Sequence, residues 1–596
     1  MKPTIEILEN IKRNSERNKN EVFTRLYRYL LRPDIYYVAY KNLYSNSGAA
    51  TKGINNDTVD GFSEKKIENI IKFLTDETYI PSPARRIYIK KANGKLRPLG
   101  IPTFTDKLIQ EALRMMLEAV YEPVFLDCSH GFRPNRSCHT ALNKIKYGFN
   151  GVRWFIEGDI KSCFDTINHS KLVGVINAKI KDARLIKLIW KLLKAGYLDN
   201  WEYHKTQSGS PQGGICSPIF ANIYLHELDK FVSKQIDNFD KPEKDRRTTD
   251  YKKIERKKQS INRQLKKAQG ELCTKLIKQK KALKKKQLKI PSKSQTDKRM
   301  RYIRYADDFI IGICGNKEDC QTIKQQLSDF ICNTMRMELS DEKTLITHSS
   351  LDAKFLGYDI SVRRENKAMR KKGKSCIKRT LNNKVNLSIP FDDKIMKFLF
   401  DNKIIRQKQD GKIIPTYRPK LLTRTDLGIV SAFNAELRGI CNFYSIASNF
   451  YKLNYFAYLM EYSCLLTLGV KYNNTIGQTK FKFKDGNGKW CIPYKTKTES
   501  KRCYFANYTE CKNSNKLVDV TPNILVRNYP TRTIFESRLV KKTCELCKTT
   551  KAENYEIHHV PKLKDLKGEK EWEQVMIKKR KKTLVICESC HEMIHS

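Results

Sequence analysis

The sequence predicts a multidomain protein of the α+β class. Its 596 residues are enough for roughly three to five domains of ordinary size. Strand-like apolar segments at 86–89, 154–157 and 305–311 alternate with amphipathic helical patterns such as 108–121. Residues 541–596 carry paired cysteines and four of the ten histidines. That pattern is typical of a small module stabilised by a metal ion.

The charge of the chain predicts a polyanionic partner. Lys and Arg number 115 and Asp and Glu 64, which gives a formal net charge of +51. Because 40% of the residues are hydrophobic, the chain is expected to fold and not to be a disordered basic tail. Each phosphate that a basic side chain neutralises releases a counterion, so nucleic acid is the expected partner. A basic surface that only keeps a protein soluble needs far less charge.

Composition also excludes several classes of protein. No apolar run approaches the ~20 residues that span a bilayer, and the opening MKPTIEILENIKRN has charges where a signal peptide is apolar. Fourteen of the 18 cysteines are scattered singly, as free thiols are in a reducing compartment. We therefore expect a cytoplasmic protein without a membrane anchor.

Along the chain, residues 1–84 have a mainly helical pattern with a polar break at 48–57, and strands and helices alternate from residue 85 onward. Residues 241–300 interrupt this alternation with 23 Lys/Arg against 6 Asp/Glu. Their apolar residues keep a helical spacing, which predicts an inserted basic helical hairpin that contacts nucleic acid. The alternative is a solvated charged helix without a specific role.

The second half of the chain is basic and then helical. Residues 363–420 show short strand or loop patterns, and residues 425–470 are helical and apolar. Residues 471–543 carry 16 Lys/Arg against 5 Asp/Glu, with aromatic residues between them. Aromatic rings beside basic groups can stack on bases, although any single ring could equally belong to a small core. The aromatic residues are Phe481, Phe483, Trp490, Tyr494, Tyr504, Phe505 and Tyr508.

Three carboxylates form the strongest candidate site. Asp307 and Asp308 follow Tyr305 and Ala306 in a predicted tight turn between strands, and Asp159 closes an upstream strand. Adjacent carboxylates are costly unless a cation compensates them, and Mg²⁺ prefers such oxygen ligands. Three carboxylates on neighbouring strands can hold two Mg²⁺ ions for nucleotidyl transfer. The alternative is a charged hairpin tip.

The ordered motifs around these carboxylates resemble the reverse transcriptases of the group II intron-encoded family. They are RPLGIPT at 97–103, SHGFRPNRSC at 129–138, GDI at 158–160, SPQGG at 210–214, YADD at 305–308, EKT at 342–344 and FLGY at 355–358. This resemblance implies a right-hand polymerase with fingers and palm and a helical thumb.

The resemblance also implies residue roles. Asp159 and Asp307 would be the main Mg²⁺ ligands, supported by Asp308 and by the Ile160 carbonyl. An aromatic ring at Phe164 would clash with a ribose 2′-OH and so select dNTPs, unless it is an ordinary core residue. The residues that would contact the nucleotide are Lys91, Arg97 and Gln212, of which the first two would grip its triphosphate.

Residues 436–445 (ELRGICNFYS) and 463–471 (SCLLTLGVK) resemble the maturase domain of the same family. This likeness implies binding of the intron's own RNA, which is recognised by shape, phosphates and exposed bases. The alternative for most of these side chains is core packing. The family usually has Tyr at the position of Phe443, so one polar contact is in doubt.

The spacing of the C-terminal cysteines predicts a structural Zn²⁺ bound by two CxxC pairs, Cys544 with Cys547 and Cys587 with Cys590. The nearby histidines resemble a ββα-metal (HNH) nuclease. That likeness implies that His559 is the general base and that a divalent ion is bound by His558, His591 and His595. Thr583 lies near the place where many HNH proteins keep an orienting Asn. The alternative is a zinc module that only binds DNA.

These observations predict one multifunctional protein with three activities. It would bind intron RNA to promote splicing, nick target DNA, and copy the intron from dNTPs with the nicked DNA as primer. The alternatives are a splicing maturase with a silent polymerase, disfavoured by the intact aspartates, and a defence-type reverse transcriptase, disfavoured by the maturase motif. We expect five regions: an N-terminal extension at 1–84, fingers and palm at 85–362, maturase and thumb at 363–475, a DNA-binding region at 476–540 and the HNH module at 541–596.

Overall fold

A computed structural model gives the architecture of the chain, and it has the multidomain α+β fold that the sequence predicts. It describes residues 3–46, 48–90, 94, 96–206, 208–209, 213–241, 247–290, 292, 298–365, 368–370, 377–379, 382–496, 499–512, 520 and 533–596.

The N-terminal region is helical, as predicted, and its polar stretch at 48–57 contains no helix. Its apolar residues are spaced so that one face of each helix is buried, as Leu8 and Ile11 show in the first helix. The Ser63 hydroxyl caps the third helix by accepting from the Lys66 N–H. The elements are α1 (Thr4–Arg17), α2 (Pro33–Leu43), β1 (Phe62–Ser63) and α3 (Glu64–Thr75).

The next strands along the chain are β2 (Ala84–Lys90), β3 (Leu96–Ile101), β4 (Trp154–Asp159), β5 (Tyr197–Asp199), β6 (Glu202–His204), β7 (Arg299–Tyr305), β8 (Asp308–Cys314) and β9 (Leu345–His348). They form two four-stranded sheets, with strand orders β3-β2-β5-β6 and β7-β8-β4-β9. The helices are α4 (Phe104–Tyr121), α5 (Cys138–Gly148), α6 (Cys163–Thr166), α7 (His169–Lys179), α8 (Ala183–Leu193), α9 (Ser217–Phe239), α10 (Thr249–Leu265), α11 (Gly270–Lys289) and α12 (Lys317–Asp329).

The palm sheet β7-β8-β4-β9 lies between two hydrophobic cores. On β8, Phe309 and Ile311 pack into a core with the N-terminal helices. Ile310 packs into a second core with the helices Asp426–Phe443 and Leu453–Tyr472, which we call the maturase helices. Because neighbouring residues of a strand face opposite sides, burial of both faces explains the continuous apolar run after Asp308. The tight turn predicted at the adjacent aspartates lies between β7 and β8, at Ala306 and Asp307, and the φ of Ala306 is +56°.

The basic insertion forms a helical hairpin, as predicted. Helices α10 and α11 pack against each other, and Ile261 and Leu276 are their buried apolar side chains. The chain enters and leaves the hairpin at adjacent points, because the Lys241 N–H donates to the Lys298 carbonyl over 2.9 Å.

The second half begins with short strands and continues with long apolar helices. The strands are β10 (Ala353–Phe355), β11 (Tyr358–Val362), β12 (Ala368–Arg370), β13 (Ile377–Arg379), β14 (Val385–Ser388), β15 (Ile405–Gln407), β16 (Ile413–Pro415), β17 (Cys491–Lys495) and β18 (Ser500–Tyr504). The helices are α13 (Lys397–Asp401), α14 (Asp426–Phe443), α15 (Leu453–Tyr472), α16 (Ile476–Lys482) and α17 (Ile534–Leu539).

The C-terminal module is a hairpin with two helices, and it docks on the N-terminal region. Its elements are β19 (Tyr555–His559), α18 (Glu571–Lys579), β20 (Thr583–Cys587) and α19 (Glu588–His595). The order β1-β19-β20 joins the module to the N-terminal strand, with Phe62 opposite Ile557. Within the described ranges, no helix combines the length and apolar composition needed to cross a bilayer.

Candidate active sites

The three predicted acidic residues meet at one edge of the palm sheet. Strand β4 ends at Asp159, whose partner across the antiparallel pair is Asp308. Asp307 lies in the turn between β7 and β8, next to that pair. The geometry therefore brings together carboxylates that are 148 positions apart in the chain.

The electrostatics of this edge favour a bound cation. Loss of water around the carboxyl group, followed by repulsion from Asp307 and Asp159, raises the pKa of Asp308 to about 7 although its side chain keeps an exposed surface. Burial, and then Asp159, also raises the pKa of Asp307. The Lys343 ammonium lies 2.7 Å from Asp159 Oδ2. Crowded oxygen ligands of this kind fit a divalent metal ion.

A buried ion pair holds the turn that carries Asp307. The fully buried Arg304 guanidinium lies 2.6 Å from Asp229 on α9. The same group donates to the Ala306 carbonyl over 2.8 Å and to the Ser129 hydroxyl over 2.9 Å. The sequence analysis did not identify Asp229, because it lies 75 positions before its partner and outside every motif.

Close backbone approach explains two of the motif glycines. A Cβ on Gly158 would lie 2.1 Å from the Phe309 ring, and one on Gly131 would lie 2.3 Å from the Ala306 nitrogen. No side chain fits at these distances. The glycines at 131 and 158 therefore let their segments pack directly against the turn and strand that carry Asp307 and Asp308.

The predicted nucleotide contacts are placed in part. Arg97 lies on β3, and its positive charge offsets part of the rise in the pKa of Asp307 that burial causes, so this charge acts on the acidic edge. Ile160 is buried and pairs with Leu339. Phe164 lies on α6, half-buried, with its ring centroid 6.4 Å from that of the exposed Phe132. The remaining two, Lys91 and Gln212, lie outside the described residues.

The maturase motif packs against the palm. The Phe443 carbonyl, at the end of α14, accepts from the Tyr358 hydroxyl over 2.5 Å and lies 2.6 Å from His139 Nε2. Of the aromatic residues in 471–543, some pack in a core and others are exposed, where they could stack on bases. Trp490 packs on the second core, whereas Phe481 is 82% exposed.

The four cysteines converge as predicted. All four sulfurs lie within 4.8 Å of one another, and the Cys547 and Cys587 sulfurs are 3.7 Å apart. Four thiolates around one zinc ion, with Zn–S bonds of about 2.3 Å, would place the sulfurs about 3.8 Å apart. The cysteine cluster therefore fits a tetrahedral metal site.

Three of the four C-terminal histidines form a second cluster. His558, His591 and His595 have ligand atoms within 4.8 Å of one another and of the Asp60 carboxylate. Glu556 Oε2 lies 2.5 Å from His591 Nδ1. The sequence analysis identified the histidines but missed Asp60, which lies almost 500 positions away in the chain.

His559, the fourth histidine, faces away from this cluster. It follows His558 on β19, and neighbouring strand residues point to opposite faces. Its ring is 7% exposed and lies beside Tyr44, with 6.4 Å between the centroids. Burial lowers the pKa of His559. Thr583 stands opposite His559 on β20, and its hydroxyl accepts from Arg538 over 2.9 Å.

Comparison with known proteins places the whole chain in one family. Residues 89–360 match the reverse transcriptase (RNA-dependent DNA polymerase) family, residues 382–531 the type II intron maturase family, and residues 544–591 the AI2M/AI1M-like HNH endonuclease family. The group II intron-encoded protein LtrA of Lactococcus lactis subsp. cremoris is 57% identical over 596 residues, which covers 100% of this chain and 99% of LtrA. The chain belongs to the group II intron-encoded proteins.

One more distant relative and one solved structure also match parts of this chain. An uncharacterized 91 kDa protein in the cob intron of Schizosaccharomyces pombe is 34% identical over 99% of this chain and 72% of its own. A solved structure of apo telomerase from Candida tropicalis covers 68% of this chain and 59% of the telomerase chain, with 13% identity and a TM-score of 0.33. This group II intron-encoded protein has reverse transcriptase, maturase and HNH endonuclease domains, which match roles in intron splicing and mobility.

Proposed function

We propose that Asp159, Asp307 and Asp308 bind two Mg²⁺ ions and support RNA-directed DNA synthesis. The observation that carries this proposal is the register of the palm sheet, which pairs Asp159 with Asp308 beside Asp307. Metal ions bound there would stabilise the attacking 3′-oxygen and the leaving pyrophosphate. The Ile160 carbonyl, which immediately follows Asp159, would supply a further oxygen.

The incoming dNTP would lie between the acidic edge and β3. Arg97 would grip the triphosphate from β3, together with Lys91, and Gln212 would contact the nucleotide and template. Phe164 would exclude a ribose 2′-OH. Phe164 lies five residues after Asp159, on the short α6, and its half-buried ring supports this assignment.

The partner that we propose for the maturase helices is the intron RNA. Tyr455 and Tyr458 in the first turns of α15, and Tyr451 just before this helix, expose 44%, 47% and 69% of their surfaces. Two lysines of α16 lie over tyrosine rings, with Lys482 Nζ 3.3 Å from the Tyr472 centroid. Exposed rings beside basic groups can stack on unpaired bases and hold phosphates. Splicing would then be catalysed by RNA whose fold this surface stabilises.

For the C-terminal module we propose a DNA nuclease. Zn²⁺ at the cysteine cluster would hold the fold. A second divalent ion, for which we propose Mg²⁺, would be bound by His558, His591 and His595 beside the scissile phosphate. His559 would be the general base. The His559 ring is buried beside Tyr44, so it must become accessible to solvent when target DNA binds.

The proposed reaction sequence begins in the cytoplasm with the protein bound to its intron RNA. The RNA inserts into one strand of the target DNA, the nuclease nicks the other strand, and the polymerase extends the new 3′-OH. The coding region should therefore lie within a folded intron sequence. Purified protein should extend a DNA primer on intron RNA with dNTPs and Mg²⁺, and chelation of the metal should stop synthesis. Metal-independent extension, or none by well-folded protein, would contradict the polymerase assignment.

A further inference from the structure

The N-terminal region places a carboxylate inside the nuclease module. Strand β1 pairs with β19, and the Gly61 N–H donates to the Ile557 carbonyl over 3.1 Å. This pairing fixes Asp60 at the edge of the module, where the His559 N–H donates to Asp60 Oδ1 over 2.7 Å. The carboxylate is therefore positioned by backbone contacts and not by a flexible loop.

Four distances describe the cluster around that carboxylate. Asp60 Oδ1 lies 3.3 Å from His558 Nδ1 and 3.3 Å from His591 Nε2, and Asp60 Oδ2 lies 2.8 Å from His595 Nε2. His591 Nε2 and His595 Nε2 are 3.2 Å apart. A tetrahedral ion with bonds of about 2.0–2.1 Å would separate its ligand atoms by about 3.3 Å. Three of the four distances match that separation.

The hydrogen bonds of the cluster also suit a metal ion. Glu556 binds Nδ1 of His591, which leaves Nε2 directed at Asp60. A carboxylate behind a metal-binding histidine is a common arrangement, because it fixes the ring and increases its basicity. His558 is 3% exposed, and neither of its ring nitrogens makes a well-aligned hydrogen bond to a described group. A bound ion would satisfy one of them.

We propose that Asp60 is the fourth protein ligand of the nuclease metal ion, so that the N-terminal region of the polymerase completes the nuclease site. The inference rests on the proposed nuclease function and deepens it. Its consequence is that the module binds its ion tightly only when β1 is paired with β19. The ion and the docking of the module would then stabilise each other, because a ligand that binds one state shifts the equilibrium towards it.

The test is a Co²⁺ titration of the zinc-loaded full-length protein, followed by visible absorption. Histidine-rich four-coordinate Co²⁺ absorbs much more strongly than Co²⁺ in a six-coordinate oxygen site, so the palm carboxylates contribute little. The variants are Asp60→Asn, which keeps an oxygen for the His559 N–H, and His591→Ala. The matched control is Asp57→Asn. Asp57 lies in the same segment as Asp60 and is outside the cluster, and its carboxylate accepts from the Thr105 N–H.

We expect wild type and Asp57→Asn to bind Co²⁺ equally, Asp60→Asn to bind at least about tenfold more weakly with a changed spectrum, and His591→Ala to lose the signal. Unchanged affinity in Asp60→Asn, with loss in His591→Ala, would overturn the role of Asp60 and leave the nuclease metal site intact. Tighter Co²⁺ binding by Asp60→Asn would also overturn the role of Asp60, because the wild-type carboxylate would then compete with the ion for the histidines. No difference between wild type and His591→Ala would overturn the metal site itself.

A second measurement uses only wild-type protein, so it does not depend on whether a variant folds. Crystals of the wild-type chain soaked in Mn²⁺ should show anomalous scattering between the histidines and Asp60, with a carboxylate oxygen bonded to the ion. A bound ion with the Asp60 carboxylate turned away would contradict the proposal.

Discussion

At the scale of single residues, a buried charge pair holds the turn of the acidic edge. Arg304 and Asp229 are both fully buried, and Arg304 also holds the Ala306 carbonyl. Removing one partner of a buried pair leaves an uncompensated charge, which costs about 3–5 kcal/mol. We expect Asp229→Asn to lower the thermal unfolding midpoint clearly and to reduce primer extension.

The control for Asp229→Asn is Asp240, which directly follows α9 and pairs with the same strand, β7. Asp240 pairs with Arg301 over 2.8 Å, but both side chains are partly exposed. Exposed pairs contribute only about 0–1 kcal/mol, so Asp240→Asn should have a much smaller effect. Equal losses of stability in the two variants would show that burial does not make the Arg304 pair more important for stability than an exposed pair.

Phe164 provides a second residue-scale prediction. If its ring meets the ribose 2′-OH, Phe164→Ala should raise kcat/KM for an rNTP relative to the matching dNTP by at least about tenfold. Phe132→Ala is the control, because that ring contacts Phe164 and is itself exposed. A ratio that stays at the wild-type value in Phe164→Ala would make Phe164 an ordinary packing residue.

At the scale of elements, the basic hairpin can be removed cleanly. Lys241 and Lys298 form a bridge, so a two-residue Asn-Gly turn can replace residues 242–297. If α10 and α11 contact RNA phosphates, the deletion should weaken binding of intron RNA and reduce the slope of log affinity against log salt. Binding is measured at several salt concentrations. Equal slopes and affinities would mean that the hairpin is a solvated charged element.

The cysteine cluster determines whether the C-terminal module folds. Cys587 ends β20 and directly precedes α19, so loss of its thiolate should release zinc and disrupt both elements. We expect Cys587→Ala to lose zinc and DNA nicking together, with extension of a supplied primer retained. Cys332→Ala is the control, because that thiol is exposed and outside the cluster. Nicking by a zinc-free Cys587 variant would refute a structural role for the cluster.

The sequence predicted those elements whose signals are local. The helical spacing in 241–300, the carboxylates after strand-like segments and the CxxC pairs each lie within a short stretch, so pattern and spacing were sufficient. Asp60 and Asp229 were missed because their roles arise from contacts across 498 and 75 positions. The orientation of His559 towards Tyr44 was missed for the same reason, since it depends on how the module docks.

At the scale of the whole molecule, the palm sheet joins the parts of the chain. One face of β8 packs with the N-terminal helices in a core that also includes the C-terminal module, and the other packs with the maturase helices. The polymerase edge, the proposed RNA surface and the nuclease cluster nevertheless use different residues. Metal chemistry at one site and surface binding at another should therefore be separable by mutation, although the sites share a scaffold.

If one chain carries three separable activities, single substitutions should separate them in a target-primed reaction. The protein is assembled with intron RNA and target DNA as wild type, Asp307→Ala or His591→Ala, and splicing, nicking and cDNA synthesis are measured together. Asp307→Ala should splice and nick but make no cDNA. His591→Ala should splice and extend a supplied primer but neither nick nor start cDNA at the target. Parallel loss of splicing, nicking and synthesis in either well-folded variant would contradict the account.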